Sequence, residues 1–267
     1  MIKYQPADSL SSPRFSGVST FMRLPNIATL ENVDFIVTGA PFDTGSSFGV
    51  GSRFGPRAVR DASSILKPYN PVLDVNIFEH CSGVDYGDIS IAPGFIEETF
   101  ERMEKDLIPV FNKNVIPICI GGDHSITLPE LRAVHKTKGP VALVHFDAHS
   151  DTYDSYFGKL YNHGTTFRRA IEEGLLLVDH SIQIGIRGHF YDSEGLDSAR
   201  NLGLEVLPAW DVRKIGFSEV IQKIKSRVQD KPVFVSFDID FLDAAYAPGT
   251  GTPEIGGFTT WEAQELL

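Results

Sequence analysis

The reading of this chain turns on residues 141–151, Val141-Ala142-Leu143-Val144-His145-Phe146-Asp147-Ala148-His149-Ser150-Asp151. The first half is a short run that is apolar on both parities, the pattern of a strand covered on both faces. The second half places Asp147, His149 and Asp151 at alternate positions. In extended chain, residues two apart point to the same side, so these three side chains are delivered together off the strand's carboxyl end. Two other segments repeat the arrangement. Gly121-Gly122-Asp123-His124-Ser125 follows the apolar run 115–120, and Asp238-Ile239-Asp240 follows Val233–Phe237. In open α/β sheets ligands collect beyond the carboxyl ends of strands, so the three segments are expected to converge.

Outward from this stretch, β-branched runs at 34–39, 115–120, 141–146, 181–186, 204–208 and 233–237 alternate with amphipathic segments. That alternation predicts a three-layer α/β/α fold around a mainly parallel sheet. Over 95–112, Ile96, Phe100, Met103, Leu107 and Phe111 form one apolar stripe at helical spacing, with Pro109 expected to kink or end the helix near its last turn. Phe217, Val220, Ile221, Ile224 and Val228 form a second stripe over 217–229. Pro56, after Gly55, stands where a helix start tolerates a missing N–H. Neither repeats nor a linker interrupt the 267 residues, so one domain over 1–267 is the simplest organisation. Residues 261–267 read as the middle of a helix without stop signals, and the natural chain is expected to continue past Leu267.

Composition narrows the function. Nineteen Phe, eight Tyr and two Trp exclude a solvated polymer. A net charge of −11 argues against a nucleic-acid partner, which needs clustered Lys and Arg, and suits a small cationic substrate. Cys81 and Cys119 build no disulfide framework, no apolar run reaches the roughly 18–20 residues that span a bilayer, and no signal-peptide core opens the chain. No membrane association and a cytoplasmic location are expected.

Asp147, Asp151, Asp238 and Asp240 with His124 and His149 would repel one another and pay a desolvation penalty if left bare near a core. Divalent cations resolve this. Four carboxylates and two imidazoles form a hard, oxygen-rich set that suits Mn²⁺ better than a structural zinc site, and bridging carboxylates imply two metals roughly 3.5–4 Å apart. The glycine-rich run from Gly45 to Gly55 lacks the spacing of a phosphate loop and reads as an active-site rim, with Arg53 and Arg57 structural or interfacial. His80, His135, His180 and His189 have no ligand-like spacing, and Glu254 reads as a solvated loop charge.

The segments GGDHS, HFDAHSD and SFDIDFLDAAYAPGTGTPEIGG, with the upstream Gly39-Ala40-Pro41-Phe42-Asp43-Thr44-Gly45 and Gly55-Pro56-Arg57, resemble the signatures of the ureohydrolases, the arginase and agmatinase family. The wording is nearest to the agmatinases, and the resemblance runs from about Asp34 to Leu267. It implies a pair of Mn²⁺ ions per subunit, one held by His124, Asp147, Asp151 and Asp238, the other by His149, Asp147, Asp238 and Asp240. A hydroxide between the ions would attack the guanidinium carbon to give urea and a free amine, with agmatine yielding putrescine. The resemblance gives Asp151 the task of passing the proton onward and makes His163 a mobile shuttle near the site mouth. It also implies homotrimers or homohexamers.

The loop 152–159 lacks the groups with which arginase-like members hold an α-amino acid, which favours agmatine, whereas Lys159 would suit guanidinobutyrate or guanidinopropionate. The family's further strand, carrying a glutamate for the guanidinium, does not occur before Leu267, and with it a C-terminal helix is missing. A ureohydrolase-like interaction protein without catalysis is the reading from a different class. The complete ligand set with His163 argues against it.

Overall fold

The structure is a computed structural model describing residues 3–193 and 195–267. The chain divides into two compact units, the stretch up to Thr44 with Gly51–Ile126, and Gly45–Val50 with Thr127–Leu267. The first holds strands β1 (Phe35–Ala40), β2 (Tyr69–Asn70), β3 (Val75–Asn76), β4 (Gly83–Asp88) and β5 (Ile116–Gly121), with helices α1 (Gly55–Ser63) and α2 (Ile96–Asn112). Its main sheet is parallel in the order β4-β1-β5, and β2 and β3 form a small antiparallel pair. Ile36 and Val84 from the sheet pack with Val110 of α2, Val33 and Val115.

The 34–39 and 115–120 runs form strands shifted by one residue, and α1 starts at Gly55-Pro56 as the sequence predicts. The structure refines one helix end and adds one strand. Helix α2 runs through Pro109 to Asn112, because the single N–H lost so near the end removes only one bond of the last turn. The helix stops where Asn114 takes a left-handed φ of 56°, a conformation asparagine tolerates at helix ends. Strand β4 carries no β-branched run. Its Asp85 is buried, and Arg60 on α1 holds it through Nε at 2.8 Å and Nη2 at 3.0 Å while donating to Asp88 at 2.6 Å. Arg53 likewise binds Asp43 through Nε at 2.6 Å, the structural role expected for it.

The second unit holds β6 (Ala142–Phe146), β7 (Ile182–Ile184), β8 (Glu205–Leu207) and β9 (Val233–Phe237), parallel in the order β8-β7-β6-β9. Helices α3 (Thr127–Lys138), α4 (Thr166–Glu172), α5 (Gly195–Asn201), α6 (Ala209–Ile215), α7 (Phe217–Val228) and α8 (Thr260–Leu266) accompany it. Val144, Phe146, Ile182, Ile184 and Leu207 of the sheet meet Val220 and Val228 of α7 in one core. Phe241 joins them, stacked on Phe258 at 4.4 Å and edge-on to Phe146 at 5.4 Å. Helix α8 is not mid-helix at 261: Thr259 and Glu262 form a reciprocal capping box that starts it. Among the described residues no helix is long and apolar enough to cross a membrane.

Candidate metal centre

Strands β6 and β9 are in register from Ala142↔Val233 to Phe146↔Phe237, so both chains leave the sheet at the same level. Asp147 follows β6 and Asp238 follows β9, and the Asp238 N–H donates to the Phe146 carbonyl at 2.9 Å. The two acidic segments therefore emerge side by side. Asp238 then caps a single helical turn, Ile239–Phe241, its Oδ1 accepting from the Asp240 N–H at 3.0 Å. That turn swings Asp240 back towards β6, where its Oδ1 accepts from Ala148 N–H at 3.0 Å.

Donor atoms of Asp147, His149 and Asp240 lie within 4.8 Å of one another, and both carboxylates are buried. His149 Nδ1 stands 2.9 Å from Asp240 Oδ2 and 3.6 Å from Asp147 Oδ1. Burial opposes a charge on His149, but hydrogen bonds to Asp147 and Asp240 and their charges prevail, lifting the imidazole to about 12. Burial pushes Asp240 well above the usual carboxylate range, and the charges of Asp147 and Asp238 push the same way. The cluster is short of positive charge.

The other expected residues fall as follows. Asp151 is buried at a left-handed φ of 52°, and its carbonyl accepts from Phe167 N–H at 3.0 Å. His163 opens the turn before α4, its Nε2 2.7 Å from Ser47 Oγ and its N–H donating to the Gly45 carbonyl at 3.1 Å. The stretch Gly45–Val50 thus anchors His163, in keeping with a rim. Gly49 donates to the Gly251 carbonyl at 3.0 Å, an approach so close that a Cβ on Gly49 would sit 2.8 Å from that oxygen. His124 belongs to the first unit, buried at the start of the turn His124–Ile126 beyond β5. Next to it Gly122 has a φ of 64°, where a Cβ would run into the Ala40 and Phe42 carbonyls.

Three residues that spacing arguments passed over also shape the cluster. Thr252 Oγ1 lies 3.4 Å from Asp240 Oδ2. Buried Arg187 donates to the backbone carbonyls of Asp240 at 2.5 Å, Glu254 at 2.9 Å, and Leu242 and Ile255 at 3.1 Å, tying the Asp240 turn to the 250s loop. His145 Nε2 lies 2.8 Å from Asp147 Oδ2. His145 had a signal, since it extends the alternation of 147, 149 and 151 one step up the strand. Arg187 had none, because its partners are main-chain atoms far along the chain.

Beside the cluster stands an aromatic wall. Tyr153 meets Tyr156 at 5.5 Å and Tyr191 at 5.7 Å, the Tyr156 and Tyr191 hydroxyls are 2.7 Å apart, and the Tyr156 ring is 6.4 Å from His163. Burial raises Tyr153 above the usual phenol range, with Tyr191, Asp151 and Asp192 adding to it against the opposing charge of His149.

Known proteins share this arrangement of sequence and fold. The profile of the Arginase family matches residues 33–267. A guanidinobutyrase of Pseudomonas aeruginosa is 41% identical over 267 residues, covering 99% of this chain and 84% of that protein. An agmatinase of Escherichia coli is 40% identical over 272 residues, covering 99% and 83%. The solved proclavaminate amidino hydrolase of Streptomyces clavuligerus superposes at a TM-score of 0.91 with 40% identity, over 96% of this chain and 85% of that one. The fold class is therefore the expected one, three-layer α/β/α with a mainly parallel sheet. Identity does not separate agmatinase-like from guanidinobutyrase-like relatives. With profile, sequence and fold in agreement along nearly all of its length, the chain belongs to the arginase family.

Proposed function

We propose that this chain is a metal-dependent amidinohydrolase that cleaves a linear guanidino compound, agmatine in the first place, to urea and an amine. The observation that carries the reading is the cluster of Asp147, His149 and Asp240, both carboxylates buried, with donor atoms within 4.8 Å. The donors fit a hard divalent cation: they are oxygen-rich, and the upward push on Asp240 shows carboxylates too crowded to ionise freely without added positive charge. Asp147, His149, Asp151, Asp238 and Asp240 would hold Mn²⁺. Bound there, the metal supplies a Lewis acid that makes water nucleophilic near neutral pH.

The chain's own residues do the rest. Water oxygen becomes bonded to the guanidinium carbon, the bond from that carbon to the alkyl nitrogen breaks, and urea and the amine separate. The proton removed from water passes through the buried Asp151 carboxylate. His163, held at Ser47 in the rim, delivers a proton to the leaving nitrogen. The aromatic wall offers π faces to the ammonium tail of agmatine, with Asp151 and Asp192 adding negative charge against the opposing charge of His149.

A second reading, a guanidino acid as substrate, draws support from the 41% identity to a guanidinobutyrase and from Lys159 on the loop beside the wall. Urea release after Mn²⁺ loading, measured with agmatine, 4-guanidinobutyrate, 3-guanidinopropionate and arginine, separates the two. Agmatine is expected to give the highest kcat/KM. Preference for a guanidino acid replaces the first reading with the second, and silence with all four refutes both.

A further inference from the structure

His145 is fully buried on β6, and both of its ring nitrogens are engaged. Nε2 lies 2.8 Å from Oδ2 of Asp147, and Nδ1 lies 3.0 Å from the side-chain Nε2 of Gln183 on β7. Chemistry fixes which end of the Gln183 amide faces the ring. The same amide nitrogen is 2.7 Å from the Ser150 carbonyl oxygen, and a carbonyl only accepts, so the NH₂ end must be there. Its second N–H then points at His145 Nδ1, which is obliged to accept. The imidazole proton is left on Nε2, where Asp147 receives it. Phe167 packs on the ring with centroids 4.3 Å apart and restricts its rotation.

Asp147 is thereby held at both oxygens, Oδ2 by His145 and Oδ1 by the His149 N–H at 2.6 Å. We infer that His145 is a positioning residue and not a metal ligand. Gln183 selects its Nε2–H tautomer, and that N–H aims the Asp147 carboxylate into the cluster. The inference rests on the metal-dependent reading for its purpose but not for its geometry. Outer partners that orient a ligand in this way typically change metal affinity 10- to 100-fold when removed.

The test has two arms on the full chain. Long-range proton–nitrogen correlation spectra of chelator-treated protein carrying ¹⁵N-histidine report the tautomer directly. His145 is expected as Nε2–H, and Gln183→Glu, which puts an acceptor at Nδ1 while Asp147 still faces Nε2, is expected to add a proton at Nδ1, giving a ring protonated on both nitrogens. An Nδ1–H ring in the unsubstituted protein overturns the inference, and this readout needs no variant to fold. Calorimetric titration with Mn²⁺ forms the second arm. His145→Ala and Gln183→Glu are expected to weaken binding about 10- to 100-fold with the number of ions per chain unchanged. Loss of a whole ion in His145→Ala would make His145 a ligand, and unchanged affinity in both variants would remove its positioning role. Failure of the unsubstituted chain to bind Mn²⁺ would refute the metal reading itself, separately from the tautomer.

Discussion

Arg187→Ala is the most informative single substitution outside the ligand set. The guanidinium is buried and donates to six main-chain carbonyls, those of Gly185 and Phe241 at 3.4 and 3.3 Å and four others at 3.1 Å or less. Of the four short bonds only those to Asp240 and Leu242 are fully buried, and at about 1 kcal/mol for each buried carbonyl left unpaired they give a loss of about 2 kcal/mol. Removing the buried charge also relieves its desolvation, the largest influence on Arg187, so this figure is the upper end of the loss. For a chain of this size, about 2 kcal/mol corresponds to roughly 4–8 °C in Tm. Arg187→Lys keeps the charge with three donors and no planar fork, and should retain about half of the stability. Denaturant unfolding of chelator-treated protein measures the loss, and Mn²⁺ titration follows its effect on the Asp240 turn. A change below about 1 kcal/mol in Arg187→Ala, with Mn²⁺ affinity intact, would refute the view that this side chain holds the two loops together.

Asp147→Ala should lower Mn²⁺ affinity by more than the roughly 100-fold expected for loss of an outer partner and reduce urea release to background, and retention of near-parental turnover would remove Asp147 from the ligand set. The imidazole of His149, lifted to about 12, keeps its proton in the metal-free fold, so metal must displace it. Apparent Mn²⁺ affinity should therefore rise about tenfold per unit between about pH 6.5 and about pH 8.5, with proton release seen as buffer-dependent heat. A flat profile would show that His149 is already neutral. Linkage gives the companion effect without metal: the raised value stabilises the fold fully below about pH 6.5, and that contribution fades as the pH climbs through about 12. Asp240→Asn mimics the protonated carboxyl that burial and its neighbours favour, so chelator-treated variant should melt no lower than the parent while losing Mn²⁺ binding. A drop of several degrees would mean that the His149 ion pair outweighs the crowding.

The parts of this molecule legible in the sequence are those in which local pattern and tertiary fate coincide. Strand Val233–Phe237 appears with the expected bounds, and 141–146 differs by one residue, because a strand covered on both faces needs an apolar run and little else. The alternation in 147–151 and 238–240 was readable for the same reason, since strand geometry fixes where such side chains go. Strand β4 was not, because Asp85 and two glycines mask it and what permits a buried aspartate there is Arg60, 25 residues away. Arg187 was hidden for a related cause: donors aimed at main-chain carbonyls leave no residue signature at the other end.

The electrostatics of the cluster connect these observations. The carboxylates that His149 faces drive its imidazole towards the protonated form, and that charge opposes the upward push which burial and like charges exert on Asp240. Without metal, protons supply the positive charge that the carboxylates need, and a divalent cation would supply it instead. The scaffolding does not depend on which of the two is present. The Asp240 turn is held by its own cap at Asp238 and by Arg187, and Asp147 by His145 and the His149 main chain. Rigid second-row contacts around an electrostatically unsatisfied centre are what preorganised binding requires, because the cost of bringing like charges together is met in folding and not at the moment the ion arrives.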